Sequence, residues 1–178
     1  GALYRALTYY LLSLKIESNS EKIDFFLKNC LIECGYKKSL FKVFINNSDI
    51  TKMLRSKRVN NNVSLYSKNK AVREKLISIQ RSFSSTNLVA DGRDLGTVVF
   101  PEAHYKFFLT ADIEVRAKRI LNSKKKCFNK VLELSEIKQN LKARDFIDST
   151  RENSPLIKSP DAILIDTSSL TIEDQYEK

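Results

Sequence analysis

The chain has 178 residues, 42% hydrophobic and 29% charged, long enough for one domain with a sizeable core and too evenly mixed for a disordered, collagenous or coiled-coil protein. Thirty-one basic and 21 acidic residues leave a net charge of +10, an excess that suits nucleic acid, an anionic membrane surface, phosphorylated small molecules or a solvated basic surface, and composition does not choose among them. The apolar runs fall far short of the ~20 residues that a membrane-spanning helix needs, and three cysteines (Cys30, Cys34, Cys127) with no secretory signal before them point to a reducing cytosol.

Leu3, Ala6, Leu7, Tyr10, Leu11 and Leu14 recur three or four residues apart and predict a helix from Ala2 to near Lys15. Ser18-Asn19-Ser20-Glu21 reads as a capping box that opens a short helix through Phe25, Phe26 and Leu27. The period then changes. Cys30 to Tyr36 and Leu40 to Ile45 are β-like runs, separated by Gly35 and two lysines and closed by Asn46-Asn47-Ser48-Asp49, so a small antiparallel insert is expected. Val59 to Phe83 returns to helical spacing in two pieces, with Val72, Leu76, Ile79 and Phe83 as a stripe behind Arg73.

Asn87 to Ala90 reads as a short strand that empties into Asp91-Gly92-Arg93-Asp94, and His104 to Leu109 as a second. A helix follows from Asp112 to about Ser123. The Lys124-Lys125-Lys126 patch leads to another, from Leu132 to about Thr150, and Ala162 to Ile165 is a continuous apolar run suited to a strand buried on both faces. Strands alternating with helices predict an α/β fold with a mainly parallel sheet in a single domain over 1–178. The chain starts at Gly1 without a Met and stops at Lys178, just after the capping-box signature Thr171-Ile172-Glu173-Asp174, so both ends read as cut.

The densest chemical signal is Asp91 to Pro101, where two acids, an Arg and two glycines gather at the expected carboxyl end of a strand, the place where open α/β sheets bind ligands. Arg93 offers a planar fork for a phosphate and Asp94 an acceptor for an amine or hydroxyl; alternatively the two side chains close a tight turn by pairing with each other. In the second cluster, Arg144, Asp148 and Arg151 share one helix face with Asp145 adjacent. These are either surface ion pairs of little worth or a clamp for a transferring phosphoryl group. Cys30 and Cys34 lack further ligands at metal-binding spacing, and His104, the one histidine, falls in a predicted strand; no metal site is expected. The lysine patch beside Phe128 reads as a solvated loop.

Five segments, in order, resemble the bacterial cytidylate kinase family, a branch of the P-loop nucleoside monophosphate kinases. They are Gly1-Ala2-Leu3-Tyr4-Arg5, Val72-Arg73-Glu74, Ala90 to Pro101, Arg144-Asp145 through Arg151, and Pro155-Leu156. The resemblance implies a parallel sheet flanked by helices, a monophosphate-binding insert over about 28–58 and a helical lid over about 122–152. It also implies that Arg5, Arg93 and Arg151 surround the acceptor phosphate with Tyr4 beside the nucleotide, and that Ser64, Arg73 and Asp94 read the cytosine edge. Arg144 and Asp148 correspond to a pair that holds the ribose and the transferring phosphate, and Arg93, Arg144 and Arg151 form the catalytic set. The implied reaction moves the γ-phosphate of ATP, with Mg²⁺, to CMP or dCMP in a cytoplasmic monomer, and needs no strong base.

The sequence also departs from the family pattern. It contains no Gly-x-x-x-x-Gly-Lys-[Ser/Thr] run, and its four glycines are Gly1, Gly35, Gly92 and Gly96. The family's phosphate loop and first strand would precede Gly1, so this chain is expected to hold the acceptor site and lid, with no ATP-binding residues assigned and the activity belonging to a longer parent. Ile147 and Ser149 stand where many members carry lid arginines, and Ile120 replaces a common second arginine after Arg119. The alternatives are a catalytically silent CMP-binding remnant, a kinase accepting UMP, and a basic nucleic-acid-binding module.

Overall fold

Helix α1 spans Ala2–Ser13, and the spacing of its apolar residues turns Leu3, Ala6, Leu7 and Leu11 into the protein interior, with Leu7 and Leu11 fully buried. The Leu12 carbonyl at its end, which takes the Lys15 N–H at 3.1 Å, also accepts a bond from Arg58 Nη2 at 2.9 Å, a basic side chain reinforcing a helix end. The protein is seen here as a computed structural model that describes residues 1–85, 87–125 and 133–177. The second helix, α2, covers only Ile23–Lys28 and has no side-chain cap. Ser20 Oγ instead accepts from Lys22 N, so the expected Ser18–Glu21 capping box does not form and the helix starts later.

The antiparallel insert is present as β1 (Ile32–Lys37) and β2 (Leu40–Ile45), extended by a third short strand, β3 (Ser48–Asp49). Both reversals are two-residue turns with positive φ at each central residue: 50° and 62° at Lys38 and Ser39, 48° and 66° at Asn46 and Asn47. That geometry matches the twist of the flanking strands, and Asn tolerates it best among residues with a side chain. Gly35 does not separate strands; it pairs with Lys42 inside the β1–β2 ladder. Alternation along β2 points Val43 and Ile45 inward, where they join Leu7, Leu11, Ile23, Leu27, Leu54, Val72 and Leu76 in the main core. The insert thus shares its interior with α1 and the helices that follow.

A 3₁₀ turn (Thr51–Arg55) leads into α3 (Lys57–Tyr66) and α4 (Lys70–Arg81). Each helix has a local start signal: Ser56 Oγ accepts from Val59 N and Asn69 Oδ1 from Val72 N, both N-cap bonds. The expected division of this helical stretch into two is therefore set by Asn69. Its stripe buries Val72 and Leu76, while Phe83 lies past the helix and is 36% exposed.

Two expectations for the next segment are corrected. Residues 87–90 form no strand; among the described residues no strand lies alongside to complete a ladder, and Leu88 and Val89 are exposed. The chain instead winds into a single π turn, Leu95–Val99. His104 lies in a bend ahead of β4, which runs Phe107–Thr110. Helix α5 (Ile113–Lys125) and helix α6 (Leu134–Thr150) pack on each other around Ala117, Ile137 and Leu141. The expected start of α6 at Leu132, part of the lysine patch, Cys127 and Phe128 lie outside the described residues.

Strand β5 (Ile163–Asp166) pairs in parallel with β4, Phe107 opposite Ile163 and Thr110 opposite Asp166, and α7 (Ile172–Tyr176) follows behind the expected capping box of Thr171 and Asp174. Ile163 and Leu164 are not buried on both faces; each is more than half exposed, as are Phe107 and Leu109. With β4 its one neighbour among the described strands, β5 has little to cover it. The architecture is mixed α/β, with a parallel strand pair and a small antiparallel sheet. No helix among the described residues is long and apolar enough to cross a membrane.

Leu76 is fully buried and anchors α4 in the main core. Leu76→Ala is expected to lower unfolding free energy by about 2–5 kcal/mol, measured by urea denaturation followed by circular dichroism.

Candidate active site

Arg73 sits on the first turns of α4 and is 2% exposed, a position that a guanidinium occupies only with partners. Its Nη2 pairs with Asp94 Oδ2, itself 5% exposed, and its Nη1 donates to the Ser67 carbonyl at 3.2 Å. The Arg73 cation also lies 5.2 Å from the centre of the Tyr4 ring, within cation–π range. Burial pushes the Tyr4 phenol up to about 12, against the opposing pull of Arg73. Ser64, buried on α3, joins this group through its carbonyl, which accepts from Ser67 Oγ. The expected quartet of Tyr4, Ser64, Arg73 and Asp94 therefore gathers beside the start of the π turn.

Arg93 and Asp94, adjacent in sequence, do not pair with each other. Asp94 turns to Arg73, while Arg93 Nε reaches Asp148 Oδ2 at 3.3 Å. Asp148, 4% exposed on α6, also takes Arg151 Nη1 on its Oδ1 at 3.3 Å. One buried carboxylate thus bridges the loop after α4 and the end of α6, so the Asp148–Arg151 pair is an internal contact and not a surface one. Arg151 Nε donates to the Ser154 carbonyl at 2.7 Å and its Nη2 is buried without a partner. Asp145 belongs elsewhere: it binds Arg116 of α5 through two bonds of 2.6 and 3.0 Å.

Arg5 and Arg144 complete the cluster without an ion pair, although Asp148 and Asp145 act on Arg144 from a greater distance. No carboxylate among the described residues lies within ion-pair distance of either. Burial, and then repulsion from Arg144, Arg55 and Arg93, lowers the pKa of Arg5. Burial and then Arg93 do the same to Arg144, whose Nε is buried and unpartnered. Arg151 is also lowered, first by burial and next by Arg73. Guanidinium groups crowded in this way make a site that a multiply charged anion would relieve.

Several residues that hold this geometry were not singled out from the sequence. Arg81, eight residues beyond Arg73 on α4, donates from Nε and Nη2 to the carbonyls of Val99 (3.1 Å) and Val98 (2.7 Å), which a π turn leaves free at its end. The same helix thus grips both ends of the turn. Gly92 leaves room for Leu95: a Cβ there would sit 2.9 Å from Leu95 Cγ, so a side chain would have to displace Leu95. Lys106, whose side chain packs over Gly96, reaches the Pro101 carbonyl and Asp161, tying the loop to the approach to β5. Arg55 and Asn60 flank Arg5. Only Arg81 carried a readable signal, its place on the helix that bears Arg73.

A family model described as cytidylate kinase matches residues 1–178. The chain is 43% identical over 178 residues to the cytidylate kinase of Fusobacterium nucleatum subsp. nucleatum, an alignment covering 98% of this chain and 78% of that protein. It is 42% identical to the cytidylate kinases of Geobacillus sp. (strain WCH70) and Clostridium botulinum (strain Loch Maree / Type A3), over the whole of this chain and 80% and 81% of those proteins.

The two acidic anchors differ in burial, and truncation is expected to separate them. Asp94→Ala leaves the buried Arg73 guanidinium without its carboxylate and is expected to cost about 3–5 kcal/mol. Asp145→Ala breaks a pair whose side chains are 29% and 32% exposed and is expected to cost about 1 kcal/mol or less. Chemical denaturation of both variants beside the parent chain measures the contrast.

Proposed function

The chain belongs to the cytidylate kinase family, and from that premise we propose that its arginine cluster binds the phosphate of CMP or dCMP as acceptor of the γ-phosphate of ATP. The observation that carries this reading is the crowding of Arg5 and Arg144, neither in an ion pair among the described residues, beside the Arg93–Asp148–Arg151 bridge. A phosphate monoester carries up to two negative charges at neutral pH, and planar guanidinium forks match its oxygens. Arg5, Arg93 and Arg151 are assigned to the acceptor phosphate, and Arg144 with Asp148 to the ribose and the transferring group.

The buried group below is assigned to the base. Cytosine presents an exocyclic amine, a ring nitrogen and a carbonyl. Asp94 supplies an acceptor, and Arg73 and Ser64 supply donors, while the Tyr4 ring offers an apolar face. Because Asp94 is held by Arg73, its carboxyl group is fixed in place. UMP presents a carbonyl where CMP presents the amine, so the Asp94 oxygen would meet an acceptor there and disfavour it.

Catalysis in this scheme is positional and electrostatic. The acceptor phosphate oxygen is itself the nucleophile, so the residues have no proton to abstract; the arginines offset the repulsion between two anions and hold them in line. Mg²⁺ would neutralise donor phosphates in such a reaction. Among the described residues no cluster of three or more His, Cys, Asp or Glu side chains could hold a cation, and Asp94 and Asp148 are engaged by arginines. No residue here is therefore assigned to the metal.

Calorimetric titration with CMP, with UMP, AMP and cytidine as controls, tests the proposal. Saturable binding that prefers CMP is expected, and Arg93→Ala is expected to weaken it about tenfold or more. A folded chain that binds CMP no better than AMP would overturn the assignment.

A further inference from the structure

Asn60 lies on the first turns of α3, half-buried, and both ends of its amide are engaged. Its Nδ2 donates to the Arg55 carbonyl at 2.7 Å, and its Oδ1 accepts from Arg5 Nη1 at 2.5 Å. A carbonyl on one side and a guanidinium on the other leave a single sensible orientation of the amide. The same Arg5 nitrogen also donates to the Leu54 carbonyl at 3.2 Å. Arg5 is thus held by two neutral oxygens, in the midst of Arg55, Arg93 and Arg144.

That choice of partner is notable on electrostatic grounds. An aspartate differs from asparagine by one group, and a carboxylate against Arg5 would make a charge-assisted bond and offset the crowding of like charges. The neutral amide gives up that stabilisation. We propose that Asn60 is a positioning residue for Arg5, a neutral anchor that aims the guanidinium into the site while leaving its charge free for an anionic ligand. The inference rests on the reading of Arg5 as a ligand of the acceptor phosphate.

The test compares CMP with cytidine, which lacks the phosphate, by calorimetry on the parent chain, N60D and N60A, with thermal unfolding of each. N60D is expected to melt no lower than N60A, because the new carboxylate pairs with Arg5. It is also expected to lose CMP affinity about tenfold or more while cytidine affinity stays unchanged. N60A keeps the charge and loses the aim, so a smaller loss, about threefold, is expected for CMP alone. A residue that merely supported the fold would lower stability and both affinities together, and that outcome overturns the proposal. So does N60D with parental CMP affinity. Should N60D not fold, N60A decides: a reduced CMP-to-cytidine ratio upholds the inference and an unchanged ratio overturns it. A parent chain that binds CMP and cytidine alike overturns the phosphate reading of Arg5 itself, and the inference with it.

Discussion

A guanidinium as buried as Arg73 requires a carboxylate, and meeting that requirement organises the molecule. Leu76 and Val72 fix α4 in the main core, which fixes Arg73, which in turn draws Asp94 inward. With Asp94 held inside, its neighbour Arg93 points the other way and meets Asp148 on α6. The π turn follows directly, and Arg81 on the same α4 secures its far end. One ion pair thereby couples the helical core, the loop and α6. Such a pair adds little net stability over apolar packing of equal volume; its contribution here is to make one arrangement of the loop better than the rest.

The site is built with more cations than its acids can answer. Asp94 serves Arg73, and Asp148 divides itself between Arg93 and Arg151, which leaves Arg5 and Arg144 to be restrained by neutral groups or by packing. Burial, and then repulsion from neighbouring arginines, lowers their proton affinity, and this crowding destabilises the fold. The fold tolerates this because the main core is continuous across α1, the antiparallel insert, α3 and α4. Preorganised charge of this kind exchanges stability for a ready anion site.

The helices and the hairpin were readable because their signals are local: apolar spacing in α1, α3 and α4, Asn46-Asn47 as a turn. The clusters Arg93–Asp94 and Arg144–Asp148–Arg151 were visible as dense charge, but their pairing was not. Adjacent Arg93 and Asp94 allow a local pair, and only the tertiary placement of Arg73 and Asp148 decides otherwise. Asn60 and Lys106 gave no signal, since each acts through contacts with residues some 55 positions distant. The strand expected at 87–90 and the burial expected on both faces of 162–165 failed for a shared reason. An apolar run specifies a strand only when neighbours complete its ladder and cover its faces, and among the described residues β4 and β5 have one another alone.

Among the described residues the interior is divided unevenly, with fifteen buried residues in the main cluster and three, Ala117, Ile137 and Leu141, between α5 and α6. Local opening free energy follows buried apolar contact, so the backbone amides of α5 and α6 exchange with solvent through smaller fluctuations than those of α1 and α4. Arg144 lies on α6 and Arg151 at its end, while Arg5 and Arg73 lie on α1 and α4. The arginine cluster therefore joins segments of unequal local stability, and a contact that spans both acts as a cross-brace, lending the stiffness of the main core to α6.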